Sequence, residues 1–179
     1  SLEFHAVIAD YLDEHPAIKL SFQPGTYQMK FGKDALHRLY RRAELFFCNK
    51  EESQRILGVS TSDIKELMRM MRALGPKIVS ITDGPKGAYA YDGTTIWMIP
   101  MYPDPSPPIS RTGAGDAFSS TFTAAIALGH DVPTALLWGP VNSMAVVQKI
   151  GAQTGLLTQE EIASYLQKAP ENYKPEIIS

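Results

Sequence analysis

Short apolar runs alternate with amphipathic stretches along most of this 179-residue chain. Apolar runs bounded by turn residues predict buried strands, and apolar positions three and four residues apart predict helices. The predicted strands are 17–22, 44–48, 77–81, 88–91 and 95–100. The predicted helices are 1–14, about 32–42, 50–57, one that begins near Asp63, 117–128, 133–149 and 158–168. This alternation predicts an α/β fold with a mostly parallel sheet.

Turn residues divide this pattern. Asp92-Gly93 lies between two predicted strands and is typical of a hairpin with a two-residue turn. Residues 102–109 contain four of the thirteen prolines, which predicts an extended loop. Gly139-Pro140 falls inside the predicted helix 133–149 and is expected to interrupt it. The tail, 170–179, predicts no element and is expected to be loosely held.

Composition is that of an ordinary globular protein, with 44% hydrophobic and 20% charged residues. A net charge of −2 provides no basic field that would favour nucleic acid or an anionic membrane. No segment approaches the roughly 18 apolar residues that span a bilayer. The only cysteine, Cys48, lies in an apolar run and is predicted to be a buried, inert thiol. Together with the lack of a signal peptide, these features favour a cytoplasmic protein with a single domain over 1–179.

The segment 111–116 reads Arg-Thr-Gly-Ala-Gly-Asp and directly precedes an apolar, small-residue helix. Gly113 and Gly115 leave backbone N–H groups uncovered, and the helix start adds unpaired N–H donors and a positive dipole end. This arrangement is typical of an anion site, usually for phosphate. Asp116 could act there as the general base that takes a proton from an attacking alcohol. An ordinary helix start with an acidic first turn is the structural alternative.

Asn49 and Glu52 follow the predicted strand 44–48. Their spacing fits a capping box, a purely structural role. It also places them at the carboxyl end of a strand, where ligands of open α/β sheets bind. In that functional interpretation Glu52 holds Mg²⁺, usually through water, and Asn49 contacts phosphate. The two interpretations remain open from the sequence.

A third candidate is the segment 82–87, Thr-Asp-Gly-Pro-Lys-Gly, which follows the predicted strand 77–81. An ordinary turn explains this composition completely. Its place after a parallel strand nevertheless puts it at the ligand edge of the sheet. Gly84 and Gly87 would let a nucleotide approach the backbone closely.

In this order and spacing, the three motifs resemble the ribokinase (PfkB) family of carbohydrate and nucleoside kinases. Residues 112–118, Thr-Gly-Ala-Gly-Asp-Ala-Phe, are similar to the signature of that family. The resemblance implies a three-layer, ribokinase-like α/β sandwich and ATP-dependent phosphorylation of a sugar or nucleoside hydroxyl. It implies that Asp116 is the catalytic base and that Gly113, Ala114 and Gly115 form the anion hole.

The resemblance also assigns the nucleotide site. ATP and Mg²⁺ are the implied cofactors, and a small sugar or nucleoside is the implied partner. Glu52 would govern Mg²⁺, through water. The implied ATP-binding residues are Asn49, Thr82, Gly84, Gly87, Asn142 and Gly151.

Two positions depart from the family pattern. Arg111 stands where the family commonly has an Asp that helps to bind a monovalent cation, which argues against K⁺ activation. Its charge could instead contact phosphate or product. The family's usual Asn or His near adenine falls on Pro140, so Asn142, two residues later, is taken as a substitute.

The largest departure is length. The N-terminal half of the family, with its β-sheet lid and most sugar-contacting residues, has no counterpart in these 179 residues. The chain is therefore expected to be a C-terminal piece of such a kinase, with little activity by itself. Two alternatives from other classes are a non-catalytic nucleotide-binding module and an inactive fragment that self-associates, for example as a homodimer.

Overall fold

The computed structural model describes residues 1–179 and has an α/β fold with an open, mixed sheet of six strands in the order β1-β2-β3-β4-β5-β6. The strands are β1 (Leu20–Phe22), β2 (Ala43–Asn49), β3 (Ile78–Thr82), β4 (Ala88–Tyr91), β5 (Ile96–Ile99) and β6 (Glu176–Ile177). The helices are α1 (Leu2–Glu14), α2 (Thr26–Ala35), α3 (His37–Arg42), α4 (Lys50–Leu57), α5 (Ile64–Ala73), α6 (Ala114–Ala127), α7 (Val132–Val147) and α8 (Gln159–Gln167). The α/β fold expected from the sequence is confirmed.

The residues group into two compact units, which we describe separately. The first unit contains 1–81, 91–96 and 179, and the second contains 82–90 and 97–178. β1 pairs in parallel with β2, and β5 pairs antiparallel with β6. None of the helices is both long and apolar enough to cross a membrane.

In the first unit, α1 forms as the periodicity predicts, but most of its apolar stripe faces outward. Phe4 and Val7 are each 61% exposed and Tyr11 is 52% exposed, whereas Leu12 is buried. Arg38 of α3 fixes α1 through hydrogen bonds of 2.7 Å to Asp10 and 2.6 Å to Asp13. These ion pairs lie at the surface, so they orient the helix more than they stabilise it.

The predicted helix 32–42 has different bounds in the structure. α2 begins earlier, at Thr26, directly after the turn at Pro24-Gly25. Gly32 has a φ of +80° and breaks the helical path within α2, and a new helix, α3, begins at His37. The positive φ at Gly32 explains why the chain forms two short helices there.

The turn after β4 is longer than the predicted two-residue turn. Residues 92–95 form the connection to β5. The Asp92 carboxylate accepts hydrogen bonds of 2.8 Å from the N–H groups of Thr94 and Thr95. An aspartate that bonds its own following backbone is typical of such loops, and this bonding extended the turn beyond Asp92-Gly93.

In the second unit, α6 packs against α7, and the predicted interruption of α7 is wrong. α7 runs continuously through Pro140. Gly139 lets α7 approach α6 closely, because a Cβ there would lie 2.6 Å from the Phe118 ring. A buried hydrogen bond of 2.7 Å from Asn142 to Thr121 also joins the two helices.

The tail is held more firmly than the sequence predicts. β6 pairs with Trp97 and Met98 of β5. Tyr173 is buried, and its hydroxyl donates a 2.7 Å hydrogen bond to the Leu137 carbonyl. Burial raises the pKa of this phenol. One buried aromatic residue and a two-residue strand are too short a signal for periodicity to detect.

Candidate functional site

A cavity of about 260 Å³ lies within the second unit, close to the lower end of the roughly 300–1,000 Å³ typical of small-molecule sites. One part of its wall is the loop after β3, with Thr82, Gly84 and Gly87. Another part is the start of α6, with Ala114 and Gly115. The structure therefore brings two of the three sequence motifs to one cavity.

The start of α6 carries no side-chain cap. Gly113 is the N-cap, with a φ of +87°, and it has no side chain to offer the first turn. The Ala114 N–H makes a long bond of 3.4 Å to the Arg111 carbonyl. Asp116 is the third residue of the helix and is exposed. This geometry keeps the partial positive charge of the helix start available to an anion.

Close packing requires the glycine at 113. A Cβ at this position would lie 2.7 Å from the Cα of Ala152, so the turn at 151–152 passes directly against the N-cap of α6. The Ser143 hydroxyl of α7 also donates a 2.7 Å hydrogen bond to the Ala114 carbonyl. Gly151 itself has a φ of +101° and does not line the cavity. These contacts fix the position of the helix start.

The loop after β3 forms one 3₁₀ turn, Gly84–Lys86, as its composition predicts. The Gly87 N–H donates to the Gly84 carbonyl at 3.0 Å, and the Asp83 N–H donates to the Gly87 carbonyl at 2.9 Å. A Cβ on Gly87 would overlap the Ile99 carbonyl oxygen. Gly87 therefore has a packing role in addition to its place in the cavity wall.

Asn49 and Glu52 lie in the first unit and form the capping box of α4. The Glu52 N–H donates to Asn49 Oδ1, and the Asn49 N–H donates to Glu52 Oε2, both at 2.8 Å. The structural interpretation of this motif is thus realised. Burial, and secondarily the Glu52 charge, raise the pKa of the neighbouring Cys48 thiol, which is buried as predicted.

No group of three or more His, Cys, Asp and Glu side chains is placed to hold a metal ion. Mg²⁺ in phosphate sites does not need such a cage, because waters and substrate phosphates supply most of its ligands. The half-buried Glu52 carboxylate uses one of its two oxygens in the capping box. The Glu52 carboxylate, an oxygen ligand of the type that Mg²⁺ prefers, therefore fits a contact with Mg²⁺ through water.

The structure does not bring Asn142 to the cavity. Its amide group donates to Thr121 and its Oδ1 accepts a 2.9 Å hydrogen bond from the Leu157 N–H, so both ends of the side chain serve the packing of the unit. Pro140, which stands where the family usually has an Asn or His near adenine, does line the cavity. The contacts of Asn142 therefore do not support the expectation that it replaces that residue at the nucleotide site.

A third part of the wall was missed in the sequence. It is the proline-rich loop between β5 and α6, from which Met101, Tyr102, Asp104 and Pro108 line the cavity together with Arg111 of the glycine motif. The Tyr102 hydroxyl donates to the Tyr165 carbonyl at 2.8 Å, and the Ile109 N–H donates to the Val147 carbonyl at 2.9 Å. An aspartate among prolines reads as a solvent-exposed loop, so no sequence signal identified Asp104.

Comparison with known proteins gives the family of this chain. Residues 16–159 match the family model described as pfkB family carbohydrate kinase. The cytidine kinase of Thermococcus kodakarensis is 31% identical over 136 residues, which are 75% of this chain and 48% of that protein.

Solved structures show the same fold. The nucleoside kinase of Methanocaldococcus jannaschii, an archaeal member of the ribokinase family, matches with a TM-score of 0.72 and 27% identity over 84% of this chain and 48% of that one. The ribokinase of Arabidopsis thaliana, solved with ribose and ATP, matches with a TM-score of 0.78 and 20% identity over 93% of this chain and 53% of that one. The chain spans about half the length of the curated relatives it matches.

Proposed function

Because the chain belongs to the pfkB family of carbohydrate kinases, we propose that it carries the nucleotide site and the catalytic base of an ATP-dependent kinase that phosphorylates a sugar or nucleoside hydroxyl. The observation that carries the proposal is the uncapped start of α6, which opens on a cavity of ligand size within one unit. A helix start without a side-chain cap leaves its first N–H groups for an anionic ligand.

In this proposal the phosphates lie at the start of α6. The N–H groups of 113–115 and the helix dipole offset the charge that builds on the transferred phosphoryl group. The Arg111 guanidinium, which also lines the cavity, adds a positive charge on the same side. Thr82, Gly84 and Gly87 form the facing wall of the nucleotide site.

Asp116 is the proposed general base. Asp116 is the third residue of α6, in its first turn, and directly follows Gly115 of the cavity wall. Its exposure permits an acceptor hydroxyl to approach it. Proton transfer from that hydroxyl to Asp116 would accompany attack of the oxygen on the γ-phosphorus, and ADP would leave.

Mg²⁺ supplies charge neutralisation on the phosphates when it is bound. Glu52 is our candidate for holding it through water, and Asn49 is our candidate for a phosphate contact. The capping box orients both side chains at the carboxyl end of β2, which is the end of a strand where such contacts form in α/β folds.

The acceptor is a sugar or a nucleoside, and the names of the relatives include both classes. We expect the 179-residue chain by itself to bind ATP weakly and to turn over little. Phosphoryl transfer requires an acceptor held against the base and water excluded from the site. In a longer protein that contains this chain, the remaining residues would complete both requirements.

The test is a calorimetric titration of the chain with ATP–Mg²⁺, followed by an ADP-release screen over sugars and nucleosides with the longer protein. ATP binding together with acceptor-dependent ADP release is the expected result. ATP binding without release for any acceptor would instead support a non-catalytic nucleotide-binding module. No ATP binding would contradict the proposal.

A further inference from the structure

The cavity contains one buried acceptor without a donor. Asp104 Oδ1 is inaccessible to solvent and accepts no hydrogen bond. Asp104 lines the cavity, and so does Arg111, whose guanidinium is a usual partner of a carboxylate. No hydrogen bond joins Asp104 Oδ1 to that guanidinium. A buried carboxylate oxygen without a donor is costly, and its presence in a native structure requires an explanation.

The protein holds Asp104 in place from both sides. Tyr102, two residues earlier, is buried, packs edge-to-face on Tyr173, and is bonded through its hydroxyl to the Tyr165 carbonyl. Ser106, two residues later, is hydrogen-bonded to the Gln148 side chain at 2.5 Å. A loop anchored at these two points cannot easily turn the carboxylate out to water. Such positioning from a supporting shell is typical of a residue that contacts a ligand.

The wall of the cavity that contains Asp104 is mainly apolar. Met101, Pro108, Pro140 and Met144 are among its lining residues. Apolar walls with a few convergent polar groups are suited to a flat ring that presents a hydrogen-bond donor. Repulsion between two anions opposes the placement of a phosphate group directly against this carboxylate.

We propose that Asp104 is a specificity-determining residue of the nucleotide site, whose buried Oδ1 accepts a hydrogen bond from the 6-amino group of adenine. This inference rests on the proposed function. The anionic end of the nucleotide lies at the start of α6, and the amino edge of the base lies against Asp104. A base without this amino group leaves Oδ1 without a donor, so the site discriminates against it.

The experiment compares three nucleotides by calorimetric titration of the chain in the presence of Mg²⁺. They are ATP, purine riboside triphosphate, which lacks only the 6-amino group, and 2′-deoxy-ATP. For the unmodified chain, ATP is expected to bind at least about tenfold more tightly than purine riboside triphosphate, as for other hydrogen bonds to a charged group. The affinity for 2′-deoxy-ATP is expected to be within about threefold of that for ATP.

Asp104→Ala should reduce the ratio between ATP and purine riboside triphosphate to within about twofold, because the acceptor is gone. Its affinity for purine riboside triphosphate should stay equal or increase, since no carboxylate remains to be buried without a donor. Asp131→Asn is the matched control, because Asp131 is the N-cap of α7 in the same unit and asparagine caps a helix as well as aspartate does. Asp131 does not line the cavity, and this variant should preserve the ratio.

Asp104→Asn provides a second variant with the shape of the original side chain if the alanine variant fails to fold. Because a neutral amide oxygen is a weaker acceptor than a carboxylate, its ratio should fall by at least about threefold. A ratio that is unchanged in both variants, or a ratio near one in the unmodified chain, would overturn the inference while leaving ATP binding intact. Discrimination against 2′-deoxy-ATP that Asp104→Ala removes would instead assign Asp104 to the ribose and overturn the inference too. Absence of binding by all three nucleotides would overturn the proposed function as well.

Discussion

The starts of α4 and α6 share a sequence feature but differ in structure. Both helices carry an acidic residue three positions after the N-cap, Glu52 in α4 and Asp116 in α6. In α4 the N-cap is Asn49, and the two side chains satisfy each other's backbone N–H groups. In α6 the N-cap is Gly113, and no side chain caps the helix.

The difference lies in what each helix start leaves for a ligand. A closed capping box uses its own carboxylate to stabilise the helix, so a ligand finds fewer N–H donors there. An uncapped start leaves that stabilisation to a bound anion and exposes the carboxylate for chemistry. The residue at the N-cap therefore separates an acidic residue that caps its own helix from one that we propose to be the general base.

The largest expected effect comes from Asp116→Asn in the longer protein. If this carboxylate is the base, kcat should fall by about 10²–10⁴-fold, because an amide cannot take the proton. ATP affinity should change little, since the N–H groups that hold the phosphates remain. Steady-state kinetics and a calorimetric titration measure the two quantities.

Asp131→Asn is the matched control for this prediction. Asp131 is the N-cap of α7 in the same unit, and asparagine caps a helix as well as aspartate does. The control should keep both kcat and ATP affinity. Equal activity of Asp116→Asn and the unmodified protein would remove Asp116 from the role of base.

The next effect concerns the glycine at the open start. Gly113→Ala should lower the free energy of unfolding by about 2–4 kcal/mol, because it forces an L-residue to a φ of +87° and places a Cβ against Ala152. Gly129→Ala separates the two causes, since Gly129 has a similar φ of +89° but no atom within 4 Å of the added Cβ. This control should lose about 1–2 kcal/mol. Urea unfolding of both variants measures the difference, and equal losses would contradict the close approach of the 151–152 turn.

A smaller effect is expected at the closed start. Asn49→Ala should cost about 1 kcal/mol of stability, as other N-cap deletions do. Thr158→Ala is the matched variant, because Thr158 and Glu161 form the capping box of α8. If Asn49 also contacts phosphate, only Asn49→Ala should weaken ATP–Mg²⁺ binding. Equal affinity of the two variants in calorimetry would leave Asn49 with the capping role alone.

The smallest effect concerns Cys48, the residue before Asn49. Burial and, secondarily, the Glu52 charge raise the pKa of this thiol well above its ordinary value. A raised pKa in the folded state means that the stability contributed by the neutral thiol is complete below about pH 9 and is lost as the pH rises further. As the pH rises from about 8 to about 9.5, the free energy of unfolding should therefore fall by about 0.8 kcal/mol more in the unmodified chain than in Cys48→Ala, as urea unfolding measures it. The same slope in both chains would contradict this account of the thiol.

Sequence patterns predicted local structure well where one residue determines it. The capping box that the spacing of Asn49 and Glu52 predicts is present, and the turn predicted in the segment 82–87 forms as a 3₁₀ turn. Two expectations failed where tertiary contacts decide the outcome, since packing of Gly139 on Phe118 accompanies an uninterrupted α7 and Tyr173 anchors the tail. A third failed for a local reason, because the positive φ of Gly32 divides a predicted helix.

The candidate site shows the same limit. Backbone motifs around Gly84 and Gly113 identified two walls of the cavity, because glycine spacing is a local signal. Asp104 was not identified, since its burial depends on anchors at Tyr102 and Ser106 that become visible only in three dimensions. The role of a residue cannot be predicted from a single sequence when it depends on contacts with residues far away along the chain.

The comparison of the two helix starts is tested most directly by backbone amide NMR of the chain during titration with ATP–Mg²⁺ and, separately, with adenosine. We predict that ATP–Mg²⁺ shifts the amide resonances of Gly115 and Asp116 strongly, while adenosine, which has no phosphate, leaves them nearly unchanged. The Glu52 amide, already bonded to Asn49, should shift much less. Saturation with ATP–Mg²⁺ that leaves the Gly115 and Asp116 resonances in place would contradict the account.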